Sequence, residues 1–256
     1  MTQQAWDNPT GQQADFRLGD VLNRSIGLFG RNFLLYTVIT AVATSPTLIT
    51  TLSVAGAATR PSTSPPDLTA ALLMFGGGIL AIFLGAIAQA AVLFVAFQNM
   101  RGRPVDAGEV VGRVLARILP LVGTFILIGL MAVVGLILLV VPLFMVLMMT
   151  YVAVPVCVIE NLGPIDSIGR SRALTKGFRW LIFVLFLIVA VVGGIVNAMV
   201  RGIGTLVLGP VLAAVIAFPF GAFIGSFGSV LSIVVYHDLR VAKEGIDTDQ
   251  IAAVFD

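Results

Sequence analysis

The sequence predicts an all-α, polytopic membrane protein with six transmembrane helices and cytoplasmic amphipathic interfacial helices. Three observations carry this. Hydrophobic residues make up 58% and charged residues 11% of the chain, far from the composition of soluble domains. From Ile118 to Ile159 the chain runs 42 residues without a charged, histidine or amide side chain. At helical rise that is roughly 60 Å, about twice a bilayer's hydrocarbon core, so the stretch must cross, turn and cross back. Finally, 13 of the 15 basic residues fall on one side of the topology built outward from this hairpin, with only Arg60 and Arg201 opposite. Excess Lys and Arg in short loops marks the cytoplasmic face, so both termini are expected there.

In chain order, residues 1–15, rich in Gln, Asn, Pro and Gly, read as a disordered tail. No signal peptide is expected, because Asp7, Asp15 and Asp20 precede an apolar run that starts only at Phe33. Between Arg17 and Asn32, Leu18, Val21, Leu22, Ile26 and Phe29 recur at helical spacing against Asp20, Asn23, Arg24 and Arg31. This is an amphipathic helix suited to the membrane surface. A first span follows at about 33–55, with Pro46 allowing a kink, then a Pro- and Ser-rich loop through Asp67. The second span covers about 70–97. From Asp106 to Arg117, Val110, Val111, Val114 and Leu115 face away from Glu109, Arg113 and Arg117, giving a second surface helix with a favourable i,i+4 pair.

The central hairpin supplies spans at about 118–140 and 142–159, with the turn expected near Pro142. Gly163-Pro164 opens a third amphipathic helix, with Pro in its first turn. A fifth span at about 180–200 is joined by a loop, Arg201 to Gly209, to a sixth at about 210–236. Residues 16–236 thus form the membrane domain and 237–256 a cytoplasmic tail. Asp20, Asp106 and Asp166 each sit early in a surface helix that feeds a membrane hairpin, a weak threefold pattern over 16–97, 104–159 and 164–236.

Few residues within the spans carry chemistry. Gln89 and Asn197 are the amides, and no Asp, Glu, Lys, Arg or His lies deep in a span, which argues against a proton-coupled pump or ion exchanger. Both amides are expected to hydrogen-bond across helices, worth roughly 0.6–2 kcal/mol each. Ala217, Gly221, Gly225, Gly228 and Ser232 form a small-residue stripe containing a GxxxG match, expected to pack against another helix. Cys157, the single cysteine, is expected to be a packing residue. One histidine, His237, and no HExxH or GxSxG arrangement leave hydrolase chemistry without support. Neither a catalytic set, nor metal ligands, nor a cofactor is expected. Asp238, Arg240, Lys243 and Glu244 read as a solvated ion-pair group.

The tail stretch from Val235 through Tyr236-His237-Asp238-Leu239-Arg240 to Asp247 resembles the C-terminal signature of the integral-membrane domain attached to some bacterial glycerophosphodiester phosphodiesterases, and of its stand-alone relatives. Glu160-Asn161-Leu162-Gly163-Pro164, Ser171 to Gly177 and Arg17-Leu18-Gly19-Asp20 agree with it. The resemblance covers about residues 16–250. It implies a six-span bacterial inner-membrane protein. No soluble phosphodiesterase barrel is expected within these residues, so the activity in the family's name is not expected to carry over.

Three function classes remain open. The first is a non-enzymatic inner-membrane protein binding anionic lipid head groups, a partner protein or a second copy at its cytoplasmic face. Asp20, Arg24, Asp106, Arg113, Asp166, Arg170, Arg172, Lys176, His237, Asp238 and Arg240 would form that face. Nucleic acid is not expected as a partner, because no extended basic domain stands outside the membrane. The second is a permease for an uncharged or lipid-like solute, which requires a polar-lined cavity holding Gln89 or Asn197. The third is an interfacial enzyme, which requires His237 and Asp238 in one pocket with Arg172 or Lys176.

Overall fold

The computed structural model describes residues 17–57, 68–138 and 140–244. The expected N-terminal tail, most of the Pro- and Ser-rich loop and the last twelve residues of the C-terminal tail lie outside them. All regular structure among the described residues is helical. Four stretches there are long and apolar enough to cross a bilayer, namely Met74–Met100, Ala107–Ile137, Val141–Ile159 and Arg179–Glu244.

Helix α1 (Leu18–Arg31) buries Val21, Ser25 and Phe29, one residue per turn on a single face, and packs on the last helix. Phe29 meets the rings of Phe223 and Phe227 edge-on at 5.0 and 5.4 Å. The axis then bends by 79° at Asn32 into α2 (Phe33–Thr44). Pro46 separates α2 from α3 (Thr47–Ala57). A proline strips the carbonyl four residues back of its donor. Here that carbonyl, on Val42, accepts instead from Ser45, from its backbone N at 3.3 Å and its hydroxyl at 2.8 Å.

Helix α4 spans Leu68–Met100 and α5 Ala107–Ile137. Asp106 caps α5, its carboxylate accepting from the Glu109 backbone N at 3.1 Å. The expected surface helix at 106–117 is not separate: it is the first third of α5, which continues unbroken through Pro120. A helix of this length reaches about 46 Å, so its charged first turns extend past an apolar layer of about 30 Å.

The chain reverses between α5 and α6 (Val140–Thr150), ahead of Pro142, which sits in the first turn of α6. A Cβ built on Gly135 would lie 2.9 Å from the Leu143 Cα, so only glycine permits this approach of α5 to α6. The expected fourth span is broken at Tyr151-Val152, and α7 covers Ala153–Ile159. Pro155 explains the break, since it cannot donate to the Tyr151 carbonyl. That carbonyl accepts from the Ser232 hydroxyl at 3.3 Å, and the Met149 carbonyl accepts from Ser171 at 2.8 Å.

Ser171 belongs to α8 (Pro164–Thr175), whose buried face is Ser167, Ser171, Leu174 and Thr175. The expectation of an amphipathic surface helix fails here in its detail. On its inward face Ser171 and Thr175 donate to backbone carbonyls and the Ser167 hydroxyl has no hydrogen-bond partner among the described residues, while Ile165 points outward, 75% exposed.

The last helix, α9 (Arg179–Glu244), is two limbs, 179–208 and 210–244, broken at Gly209 with φ 81° and ψ 165°. That backbone region is essentially open to glycine alone, and Pro210 starts the second limb where its missing N–H costs nothing. The limbs fold back on each other. A Cβ on Gly193 would lie 2.8 Å from Ile224 Cγ2, and one on Gly204 3.1 Å from Ala213 Cβ. Both pairs centre on the Leu208-Gly209 step. The expected nine-residue loop from Arg201 is therefore helix, and the reversal takes a single residue.

The core is asymmetric. At the end where α1, α8 and the close of α9 meet, hereafter the capped end, Tyr36, Val92, Leu93, Val95, Ile233 and Val235 are fully buried. Toward the opposite end the helices part.

Candidate functional site

Two polar features result from this packing. The first crosses the capped end. Arg170 on α8 donates from Nε to Glu160 Oε2 at 3.0 Å, and its Nη2 pairs with Glu244. Arg240, one turn before Glu244, donates to it at 3.1 Å. Tyr236 donates its hydroxyl to Glu160 Oε1 at 2.8 Å and accepts from Arg240 at 3.3 Å. Two arginines and two glutamates thus neutralise each other, and their side chains are only 18–30% exposed. Burial works against the charged form of Glu244. The hydrogen bonds from Arg170 and Arg240 outweigh it and hold the carboxyl below its ordinary value of 4.5. Burial likewise lowers Arg170 and Arg240, but their glutamate and tyrosine partners turn the net shift upward.

Neighbouring bonds extend this strap. Arg24 on α1 pairs with Asp238 at 2.9 Å, and His237 Nδ1 is 3.3 Å from the same carboxylate. Lys243 donates to the Ala173 carbonyl at 2.8 Å, and Arg117 to that of Asn161 at 2.9 Å. Arg113 sits 3.9 Å from Glu109 and over the Phe94 ring. Of the expected face, then, Arg24, Arg170, His237, Asp238 and Arg240 are tied into the fold, and Asp106 caps a helix. Asp20, Asp166, Arg172 and Lys176 form no ion pair among the described residues. No three His, Cys, Asp or Glu side chains converge there either. Cys157 is buried, its thiol 3.7 Å from the Leu162 carbonyl.

The second feature lies where the helices part. Two adjoining cavities of about 620 and 530 Å³ open between α2–α3, α4 and α9, and both are lined by Thr47, Thr51, Ala81, Arg201 and Ala214. The larger also takes in Thr40, Thr44 and Gln89, and its α9 wall runs through Ala217, Gly221, Gly225 and Gly228. Their volumes suit a small ligand. Gln89 lies about 17 Å along α4 from its Met100 end. A third hollow of about 830 Å³, between α1–α2 and both limbs of α9, is lined by apolar groups apart from Thr37.

The glycine stripe has a different role from the one expected. A Cβ on Gly221 or Gly228 would meet nothing within 4 Å, and one on Gly225 only Thr40 Cγ2 at 4.0 Å. These positions hollow out the cavity wall. Close helix approach falls to Gly77, Gly123, Gly135 and Gly193 instead. The expected cross-helix hydrogen bonds of Gln89 and Asn197 are likewise not made between described side chains: Gln89 faces the cavity, and Asn197 lines none of the three hollows.

Sequence reasoning missed two groups. Thr40, Thr44, Thr47 and Thr51 follow i, i+4, i+7 and i+11, one helical face carried across Pro46, and that spacing was the signal. Glu160 gave none, because nothing local relates it to Arg170 or Tyr236, and Glu244, read from its spacing to Arg240 as part of a solvated ion-pair group, is instead partly buried and shared with Arg170. No family model, no curated protein and no solved structure matches this chain.

Proposed function

We propose that this chain is a six-crossing, non-catalytic membrane protein that holds a lipid-like molecule in the cavity beside Gln89. Its crossings are α2–α3, α4, α5, α6–α7 and the two limbs of α9. The capped end faces the cytoplasm, where the basic residues gather, and the resemblance of the tail suggests a bacterial inner membrane. The observation that carries the reading is the cavity. An amide at bilayer depth with no partner among the described residues, walled by glycine, alanine and threonine, departs from the rule that polar groups in hydrocarbon find partners. Binding is favoured over permeation because the hollow is blind. Beyond Thr40 and Gly228 the path meets Tyr36, Leu93 and Val230–Val235, all closed against one another. The capped-end strap, with its charges satisfied internally, serves to hold the helices.

The test fills the hollow. In Gly225→Phe the ring enters space that a Cβ reaches without clash. Native mass spectrometry of protein extracted with its lipids should show a bound molecule on the wild type and its loss from the variant, with thermal stability kept. Equal retention by both proteins would end the reading.

A second reading has one observation behind it: Arg31, Arg101, Arg103, Arg172 and Lys176 are exposed around the capped end. Basic groups at that level attract anionic lipid at about 1 kcal/mol each. Replacing Arg172 and Lys176 with Gln should then lower retention of anionic lipid even when the cavity is filled.

A further inference from the structure

Arg201 lines both adjoining cavities, and no acidic side chain among the described residues lines either. It lies about 33 Å along α9 from Arg179, beyond the depth of the hydrocarbon layer and toward the open end. The donors in the walls can be accounted for one by one. Thr40, Thr44, Thr50 and Thr51 donate their hydroxyls to carbonyls of their own helices, and Thr47 donates to the last carbonyl of α2, on Thr44. Ser229 donates to Gly225, and Thr205 to the Arg201 carbonyl. What remains without a described acceptor is the Gln89 amide, deep in the hollow, and the Arg201 guanidinium at its mouth. A guanidinium offers a planar fork of donors matched to an oxyanion, and it sheds water more readily than an ammonium.

We propose that Arg201 is the head-group site of this cavity, binding the phosphate or carboxylate of one anionic amphiphile whose chain lies along the Ala214–Gly228 wall. From Ala214 to Gly228 that wall is about 21 Å long, and its side chains at the cavity are glycine, alanine and Phe218, which suits a hydrocarbon chain. The inference rests on the binding role proposed above and assigns its ligand class. A free anion would be held by the same guanidinium, so the test separates the two sources.

The probes are phosphatidylcholine discs doped with either phosphatidate or diacylglycerol of the same acyl chains, and inorganic phosphate in the buffer, read by native mass spectrometry. The wild type should retain phosphatidate over diacylglycerol. Arg201→Gln should lose phosphatidate by about tenfold, the scale of one charge-assisted hydrogen bond, with diacylglycerol retention unchanged. Arg201→Lys should recover part of the loss, and the unchanged diacylglycerol signal reports intact folding. Equal phosphatidate retention by wild type and Arg201→Gln would overturn the proposal, leaving the guanidinium merely hydrated. Displacement of phosphatidate by inorganic phosphate at matched concentration would overturn it too, since the chain would then contribute nothing. Retention lost in Gly225→Phe but not in Arg201→Gln removes this site and leaves the cavity. Retention lost in neither variant removes both.

Discussion

The Ser232 hydroxyl donates to the backbone carbonyl of Tyr151, the group that Pro155 leaves without a helical partner. A proline four residues on and a serine 81 positions away in the chain thus solve one local problem: a helix broken in an apolar setting must have its freed carbonyl satisfied. Ser232→Ala should therefore lower thermal stability by about 1 kcal/mol. In a Pro155→Ala background, where residue 155 regains its N–H, the same change should cost clearly less. An equal cost in both backgrounds would mean that the serine acts only through packing.

The capped-end strap makes a second prediction. Arg170→Gln leaves Glu160 and Glu244 to share Arg240 alone and should cost about 1–3 kcal/mol in thermal unfolding. Adding Glu244→Gln should cost less than the sum of the two single changes, because the groups act as one network. Full additivity would contradict the geometry.

Acid should loosen the same strap. Glu244 titrates below its ordinary 4.5 in the folded chain, so its contribution is complete at neutral pH. It begins to fade as pH falls past the unfolded value, and it is lost through the folded one. Hydrogen exchange at the end of α9 should rise over that window. In Glu244→Gln the rise should be smaller; an identical rise would assign it to other carboxylates.

Glycines that look alike in the sequence should respond in opposite ways. Gly193→Val sets a Cβ 2.8 Å from Ile224 Cγ2 and should cost about 1–3 kcal/mol by overpacking. Gly221→Ala enters open space and should be neutral or mildly stabilising, since alanine favours helix. Thermal unfolding of both variants decides, and equal effects would refute the hairpin register of α9.

Much of the fold was legible. Apolar run lengths gave the helices, and the unbroken run from Ile118 to Ile159 required a reversal close to where it occurs. Arg201 misled: taken as a loop marker, it cut the fifth span short, whereas Gly209-Pro210 alone makes the turn. Pro155 marked Tyr151 as a carbonyl without a helical donor, but Pro120 and Pro219 lie inside helices that run on, so proline alone did not tell a break from a continuous helix. The cavity was half legible. Gln89 was identified, but the threonines were counted singly, and a glycine stripe has the same spacing whether it meets a helix or a hollow. Which of those it meets depends on the distance between helices, and that follows from packing elsewhere, at Gly77 and Gly193. The pairing of Arg170 with Glu160 and Glu244 is purely tertiary.

The six-crossing arrangement can be tested with single cysteines on a Cys157→Ser background. A cysteine at Leu206, 88% exposed near the α9 turn, should react with an impermeant maleimide from outside the cell. One at Asp106 should react only after the membrane is opened. The reverse pattern, or labelling of both from one side, would overturn the topology.

In the proposed binding mode Gln89 faces a bound amphiphile and not bulk lipid. The direct measurement places a photoreactive benzoylphenylalanine at Gln89 and, as a control, at Leu130, 59% exposed on α5, followed by illumination in native membranes and intact-mass analysis of the adducts. One dominant amphiphile is expected at Gln89, and at Leu130 a mixture matching the surrounding membrane. Adducts at Gln89 that mirror the bulk membrane, or none at all, would contradict it.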